Sequence, residues 1–271
     1  MTVSADGGGV CSPTVPAAGR ERIREFFGME LRDPVSSGSH LLTALWAAYA
    51  TLVLVRLTHG KPGRRVAVAV FGASMVFMYL ASGVFHGVPY SRTANPDEFR
   101  FFQKIDQSAI SLLIAGTNTP CILILLGGGM GRWFLRILWG LAAASIACLW
   151  LFPKAPHAAV VGLYLGMGWF GVLPVYHYYR VVGWRGMNWV WAGAALYSAG
   201  AACELTQWPN LSDAPVRVGY HEVFHFFDMA ATLAFFVFIV KYVIPYERPT
   251  VATTERKPRD RYPWALPAQL Q

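Results

Sequence analysis

Two histidines one helical turn apart open the last long apolar segment of the chain. His221 and His225 are four positions apart, so on a helix both imidazoles lie on the same face. Asp228 follows on that face, whereas Glu222 is rotated away from it by about 100°. Ionisable groups inside an apolar helix are costly and therefore indicate function, and imidazole is a common metal ligand. The pair predicts half of a metal site.

Further candidate ligands stand at the ends of other apolar segments. Ser82 and His86 close the second segment, and Asp106 opens the third. Three histidines and a carboxylate form a natural zinc set, with a fourth position open for a water whose pKa falls to about 7. Asp106 could orient that water and take its proton, and Ser82 could hydrogen-bond the water, Asp106 or a developing oxyanion. Alternatively, His86, His221 and His225 are interfacial histidines bonded to carbonyls or lipid headgroups.

Seven apolar segments carry these residues, each near the length of about 20 residues that a membrane-spanning helix needs. The segments are 39–57, 66–86, 107–126, 133–152, 157–179, 188–206 and 221–244. With 55% hydrophobic and only 14% charged residues, the chain is too apolar for an ordinary soluble domain. The net charge of +8 does not indicate nucleic-acid binding, because Lys and Arg lie in short segments that suit anionic lipid headgroups. We therefore expect an all-α integral membrane protein, a seven-transmembrane-helix bundle.

An odd number of spans predicts that the candidate ligands share one side of the membrane. Consecutive spans run in opposite directions, so the second span ends on the side where the third and the seventh begin. Ser82 and His86 end the second span, Asp106 begins the third, and His221 and His225 begin the seventh. Parity alone therefore predicts that these residues meet at one membrane face.

The predicted membrane domain covers residues 39–244 and is flanked by two tails. Residues 1–38 are predicted to be disordered, except that 20–31 place apolar residues at helical spacing among charges, as in a short amphipathic helix on a membrane surface. Residues 245–271 are rich in Pro and Arg and are predicted to be disordered. The four cysteines form no close pair, so the sequence indicates neither a disulfide framework nor a thiolate zinc site.

Taken jointly, these motifs resemble those of the hemolysin III / progestin and adipoQ receptor (PAQR) family. The resemblance rests on Ser39-His40, on Ser82-x-x-x-His86, on Asp106-Gln-Ser-Ala-Ile with the later Ile-Ala-Gly-Thr-Asn-Thr-Pro120, and on His221-Glu-Val-Phe-His225. It covers about 39–244. Gln107 departs from the pattern, because bacterial members usually have His after the Asp. That departure leaves the metal set intact and bears only on its surroundings.

The resemblance implies a function as well as a fold. It implies Zn²⁺ held by His86, His221 and His225, with Asp106 on the zinc-bound water. Adiponectin receptors and alkaline ceramidases share that arrangement, so the resemblance suggests a protein of membrane or lipid homeostasis that hydrolyses a lipid amide. Membrane lipids are the expected partners, one of them as substrate or ligand, and the plasma (inner) membrane is the expected location. A non-enzymatic receptor or sensor with structural zinc and a cytolytic pore stay open as alternatives.

The segment His221-Glu222-x-x-His225 also matches the pattern of zinc metalloproteases, in which the Glu is the general base. The chain has neither the extended motif with a third histidine nor a distal Leu-Asp-Gly segment that would supply a carboxylate ligand. An intramembrane protease is therefore the least favoured interpretation.

The sequence leaves the membrane orientation open. The distribution of Lys and Arg between the loops favours an N-terminus outside the cell. The resemblance to adiponectin receptors implies an N-terminus inside, with the metal facing the cytoplasm.

Overall fold

The computed structural model describes residues 24–26, 29–152, 156–211 and 218–247. Within these residues, a short strand pair precedes seven α-helices. The elements are β1 (Arg24–Phe26), β2 (Met29–Leu31), α1 (Pro34–Leu57), α2 (Pro62–Gly87), α3 (Pro96–Pro120), α4 (Gly128–Leu151), α5 (His157–Val172), α6 (Val175–Thr206) and α7 (Tyr220–Phe238). Two π-helical segments extend α3 over Cys121–Leu126 and α7 over Ile239–Val243. The described helices thus correspond in number to the seven apolar segments.

The N-terminal segment differs from its prediction. The amphipathic helix predicted over 20–31 is replaced by β1 and β2, which pair antiparallel. An isolated helix of this length forms too few hydrogen bonds to offset its costly nucleation, so a strand pair competes with it. α1 then begins at Pro34, inside the tail predicted over 1–38. Residues 1–23, 27–28 and 248–271 of the predicted tails lie outside the described residues.

The third helix begins well before its apolar segment. Pro96 occupies its first turn, where the fixed φ of proline suits a helix and its missing N–H costs nothing. Asp97 and Glu98 follow in the same turn and interact favourably with the helix dipole. Because these turns are polar, hydropathy does not reveal them. Asp106 therefore lies about three turns inside α3 rather than at its start.

Successive helices alternate in direction, and the candidate residues lie at one end of the bundle. We call the end that carries His86, His221 and His225 the histidine end. There, Asp33 before α1 contacts His86 in the last turn of α2 at 3.1 Å. Trp150 near the end of α4 donates a hydrogen bond to Ser108 in α3 at 3.2 Å. Odd-numbered helices therefore begin, and even-numbered helices end, at the histidine end.

The fifth and sixth helices bend within the bundle. α5 has 16 residues and meets α6 at an angle of 74°. Gly183 has a φ of +65°, which glycine adopts readily, and it divides α6 into a short and a long part. His157 at the start of α5 and Glu204 near the end of α6 form an ion pair at 3.2 Å. α5 therefore begins at the histidine end, and α6 ends there.

The outer surface of the bundle is apolar. Leu42, Leu45 and Tyr49 of α1 are 70%, 71% and 65% exposed, whereas Phe71 and Met75 of α2 are fully buried. Large exposed apolar surfaces are rare on water-soluble monomers and mark contact with lipid or with other proteins. Within the described residues, α1, α2, α3, α4 and α7 are each long and apolar enough to cross a membrane, and the bent pair α5–α6 is a sixth candidate.

The helices that carry His86 and Asp106 approach closely at a glycine. A Cβ at Gly116 in α3 would lie 2.1 Å from the Ser74 Oγ of α2 and 3.5 Å from the Val70 carbonyl oxygen. Small residues allow helix backbones to pack at short range, which favours association within lipid. Gly116 therefore fixes the spacing between α2 and α3.

Candidate metal centre

Three imidazoles converge at the histidine end. The Nε2 atom of His86 is 3.3 Å from that of His221 and 3.2 Å from that of His225, and the latter two are 3.2 Å apart. Nitrogen ligands at about 2.0–2.1 Å from a tetrahedral ion are separated by about 3.3–3.4 Å, so the triangle has the right size for one ion. The three histidines lie close enough to hold a metal ion, as their positions in the sequence predicted.

Two carboxylates contact the outer nitrogens of these rings. Asp33 Oδ2 lies 3.1 Å from His86 Nδ1, and Glu204 Oε2 lies 3.0 Å from His221 Nδ1. Carboxylates in this position fix the tautomer and orientation of metal-binding histidines. Asp33 also accepts a hydrogen bond from the Ser36 N–H in the first turn of α1. Burial alone would raise the pKa of Asp33, but the hydrogen bonds from His86 and Ser36 and the charge of His86 hold that pKa well below its ordinary value.

These contacts decide which nitrogens face the centre as acceptors. A neutral imidazole carries one proton, and the carboxylates of Asp33 and Glu204 favour that proton on Nδ1 of His86 and His221. The Nε2 atoms of both rings then direct lone pairs towards the same point. Converging lone pairs repel one another unless a cation lies between them. The donor set therefore fits a cation that prefers imidazole nitrogen.

A fourth histidine packs behind the centre. The rings of His40 and His225 meet nearly perpendicular with centroids 4.2 Å apart, and Tyr79 contacts His40 at 5.3 Å. Among the described residues, neither nitrogen of His40 has a hydrogen-bond partner, and neither does Nδ1 of His225. His40 does not belong to the three-nitrogen set, so it forms part of the wall that supports His225.

The two predicted catalytic residues are neighbours, but of the two only Asp106 lines the cavity. Asp106 is buried and lines the same cavity as His86, and its Oδ1 has no hydrogen-bond partner among the described residues. Ser82, one turn before His86, is fully buried but is not among the described residues that line the cavity. Its side chain lies within hydrogen-bonding reach of the Asp106 carboxylate. Asp106 is thus placed beside the centre, while the role of Ser82 stays a prediction.

A cavity of about 760 Å³ adjoins the three imidazoles, a volume within the usual range of ligand sites. It follows α3 from Gln103 to Cys121, a rise of about 27 Å at 1.5 Å per residue. The histidine end of this cavity is lined by Asp33, His86, Asp106, Glu204, His221 and His225. Its remaining length is mainly apolar, with Leu113, Trp169, Val190, Phe235 and Phe238 on its walls. The cavity therefore joins a polar centre to a long apolar chamber.

Glu222 caps the start of α7. Its Oε2 accepts the backbone N–H of Gly219 at 2.6 Å, the bond that a Glu at the third helical position makes with the N-cap residue. This bond directs the carboxylate towards the helix terminus, in agreement with its predicted rotation away from His221 and His225. The arrangement disfavours the metalloprotease interpretation, in which this carboxylate would be the base.

Comparison with known proteins gives the same relationship as the motifs. A family model described as haemolysin-III related matches residues 30–236, which include all three histidines. The chain belongs to the haemolysin-III-related family. It is similar to Hemolysin-3 of Bacillus cereus, with 31% identity over 224 residues that cover 83% of this chain and 96% of the relative. It is also similar to the Hemolysin-3 homolog of Bacillus subtilis (strain 168), with 28% identity over 215 residues, 79% of this chain and 94% of that protein.

Membership in this family, together with the apolar helices, identifies a multi-pass membrane protein. The resemblance seen in the sequence is thereby confirmed. The matched region begins at residue 30, before the predicted membrane domain, and so includes Asp33. In this haemolysin-III-related protein, the region that matches the family model therefore includes the carboxylate that contacts His86.

The sequence did not reveal the two carboxylates that contact the histidine rings. Asp33 precedes Pro34, a pattern typical of a helix N-terminus, and it marks α1 but gives no indication of His86. Glu204 is near the predicted metal face, but no spacing connects it with His221. Both contacts depend on how separate helices pack, so only the structure shows them.

Proposed function

We propose that this protein spans the membrane with seven helices, holds zinc through His86, His221 and His225, and hydrolyses a lipid amide in membrane lipid homeostasis. The observation that carries this proposal is the triangle of Nε2 atoms next to a long apolar cavity. The ion pair between His157 and Glu204 supports the seven-span arrangement, because it brings the start of α5 and the end of α6 to the same end of the bundle.

Zinc suits the donor set better than a hard cation does. The three convergent atoms are imidazole nitrogens, which zinc prefers, whereas Mg²⁺ and Ca²⁺ prefer oxygen ligands. Three protein ligands also match catalytic zinc sites, which keep one position open. When bound there, zinc would supply Lewis acidity that polarises a carbonyl and acidifies water.

Different side chains of the protein would transfer the proton, position the histidine rings and bind the lipid. Asp106 would take a proton from the attacking water, because it lines the cavity with the three histidines and its Oδ1 is unpartnered within the described residues. Asp33 and Glu204 would hold the rings of His86 and His221 in place. The apolar walls would bind the lipid chain and exclude bulk water from the centre. Ser82, whose side chain lies within hydrogen-bonding reach of Asp106, would orient that carboxylate.

Two other functions use the same fold. In a receptor or sensor, the metal would only join α2 to α7, and the cavity would hold a regulatory lipid. In a cytolytic protein, as the name of the two relatives indicates for them, the chain would permeabilise a membrane. The three-histidine set favours the hydrolase, because structural zinc usually has four protein ligands, whereas three leave a position open towards the cavity.

The test is a hydrolysis assay with purified protein in lipid nanodiscs. Acylated long-chain amines of several head groups are added, and released fatty acid is measured by mass spectrometry before chelation, after chelation and after zinc is restored. Release that disappears on chelation and returns with zinc supports the hydrolase. Protein that keeps zinc but releases no fatty acid from any of these lipids contradicts it and favours the sensor. Zinc-independent leakage of dye from erythrocyte-lipid vesicles would instead support the cytolytic function.

A further inference from the structure

Two arginines line the cavity at its histidine end, and the proposed chemistry uses neither of them. Arg32 lies between β2 and α1, and Arg92 lies between α2 and α3. No other lysine or arginine in the described part of the chain lines the cavity. Since the chamber beyond the metal centre is mainly apolar, the positive side chains of the cavity lie at one end of it.

Packed aromatic rings hold the two guanidinium groups. The guanidinium carbon of Arg32 lies 4.1 Å from the ring centre of Phe85 and 4.8 Å from that of Phe99. The guanidinium carbon of Arg92 lies 5.2 Å from the Phe99 ring centre, and a cation within about 6 Å of an aromatic ring is attracted to it. Arg32 also donates a hydrogen bond to the Phe85 carbonyl oxygen. Because both phenylalanines are buried and their rings meet at 5.3 Å, a packed surface positions the two charges.

The two positive charges are close enough to repel each other. Both guanidinium groups lie over the Phe99 ring, so their carbons are separated by at most the sum of their distances from its centre, about 10 Å. Charges at this separation are only partly screened at physiological ionic strength, where the Debye length is about 8 Å. An anion that contacts both groups offsets the repulsion. Each guanidinium has five N–H donors in a planar fork that matches phosphate oxygens, so it can bind an anion as well as the protein groups that hold it.

The cavity has three successive parts along α3. Phe99, over which both arginines lie, precedes Asp106 by seven residues, a rise of about 10 Å. In the other direction, the apolar chamber follows α3 as far as Cys121, about 22 Å beyond Asp106. A lipid whose acyl chain fills the chamber and whose amide lies at the three imidazoles therefore directs the rest of its head group towards the arginines.

We propose that Arg32 and Arg92 form a site for a phosphate monoester on the head group of the lipid. A phosphate monoester carries about −1.5 to −2 charges at pH 7 and three acceptor oxygens, which suits two guanidinium groups better than a singly charged carboxylate does. This inference rests on the proposed lipid function and specifies it. The substrate is a fatty acyl amide whose amine part carries a phosphate, joined by a linker short enough to span about 10 Å between the metal centre and the arginines.

The experiment compares two probes that differ only in a phosphate group. One is a long-chain ether of ethylene glycol and the other is its phosphate monoester, with an ether in place of the amide so that neither probe is hydrolysed. Purified, zinc-loaded protein in nanodiscs of zwitterionic lipid is titrated with each probe. Displacement of a fluorescent fatty probe from the cavity gives the two dissociation constants. We expect the wild type to bind the phosphate monoester about tenfold or more tightly than the neutral ether.

Three variants at the arginines test whether the preference depends on them. Arg32→Gln and Arg92→Gln should each bring the two constants to within about threefold. Arg32→Lys should keep part of the preference, because lysine retains the charge but not the planar fork. A preference that survives in both Gln variants would overturn the site, since the phosphate would then bind the metal or the bilayer surface.

Arg100→Gln is the matched control, because Arg100 is exposed beside Phe99 but does not line the cavity. It removes the same charge from the same end of the bundle and should keep the wild-type preference. Loss of the preference in this control would overturn the site in favour of a general surface charge. Equal affinities of the wild type for the two probes would also overturn it, and that comparison does not depend on whether a variant folds.

Inorganic phosphate distinguishes a head-group site from a site for the free anion. It should displace the phosphate monoester only at concentrations about a hundredfold or more higher, because it has no chain to bury in the chamber. Displacement at equal concentrations would overturn the head-group assignment. Zinc content is measured on the same samples: a zinc-free wild type contradicts the proposed function, whereas a zinc-loaded wild type without phosphate preference contradicts only the arginine site.

Discussion

Four carboxylates surround the histidines, and their hydrogen bonds give them different tasks. Asp33 and Glu204 contact ring nitrogens, and Glu222 accepts a backbone N–H at the start of α7. Asp106 has an oxygen that no described residue satisfies. A group that must exchange a proton with a reactant needs such a free atom, while the other three are already bonded. These differences can be tested one residue at a time.

Asp106→Asn should be the severe variant and Glu222→Gln the tolerated one. Asp106→Asn removes the proposed general base and should lower hydrolysis by about 10²–10⁴-fold. Glu222→Gln retains an oxygen that can accept the Gly219 N–H, so activity should stay near that of the wild type. Lipid-amide turnover is measured for both, with zinc content as the control. An inactive Glu222→Gln beside an active Asp106→Asn would refute this assignment.

Glu204→Gln should weaken zinc binding without removing it. The amide cannot supply the charge that stabilises the His221 ring, and loss of such a partner typically costs about 10–100-fold in metal affinity. The affinity is measured by competition with a chelator of known zinc affinity. Glu247→Gln, at an exposed ion pair with Lys61, is the matched control and should bind zinc as the wild type does. Unchanged affinity in Glu204→Gln would show that this carboxylate does not support the centre.

At the scale of the elements, the sequence predicted which segments are helical better than where they begin. Apolar segments identified the helices because burial in lipid and burial in the bundle both favour apolar residues. The helix starts at Pro34 and Pro96 are set by proline and capping chemistry in polar turns, which hydropathy does not detect. The break inside α6 was missed for a similar reason, since Gly183 acts through its backbone conformation.

Helix packing gives a prediction at the same scale. Gly116→Ala should destabilise the fold by about 1–3 kcal/mol, because the added methyl group would overlap Ser74 at the contact between α2 and α3. Gly140→Ala is the matched control: the structure shows no atom within 4 Å of a Cβ there, and alanine should be neutral or stabilising by up to about 1 kcal/mol. Unfolding in detergent mixtures measures both variants. Equal stability of the two would contradict the close approach at Gly116.

At the scale of the whole molecule, parity was the strongest prediction that the sequence allowed. An odd number of passes placed His86, His221 and His225 on one side before any contact was known, and the structure brings them together. Parity gave the side on which Asp106 lies but not its position about three turns inside α3, nor did it reveal the pairing of His157 with Glu204. Those positions depend on helix lengths and tilts, which apolar segments define only loosely.

The two ends of the chain should lie on opposite sides of the membrane. Lys61, in the turn between α1 and α2, contacts Glu247 at 3.1 Å, which places the end of the described chain opposite the histidine end. A reporter before residue 24 and one after residue 247 should therefore report opposite sides, and one inserted at Gly60 should agree with the C-terminal reporter. Terminal reporters on the same side would mean that α5 and α6 form one pass.

The metal content of the purified protein tests whether the three histidines hold zinc. Protein prepared without chelator in detergent is measured by elemental analysis, together with His221→Ala and with the control His59→Ala outside the centre. We expect about one zinc per chain in the wild type and in the control, because three imidazoles leave a tetrahedral ion one open position. His221→Ala should lose most of its zinc. A folded wild type without zinc, or a His221→Ala variant with full zinc, would show that the three histidines do not form a zinc site.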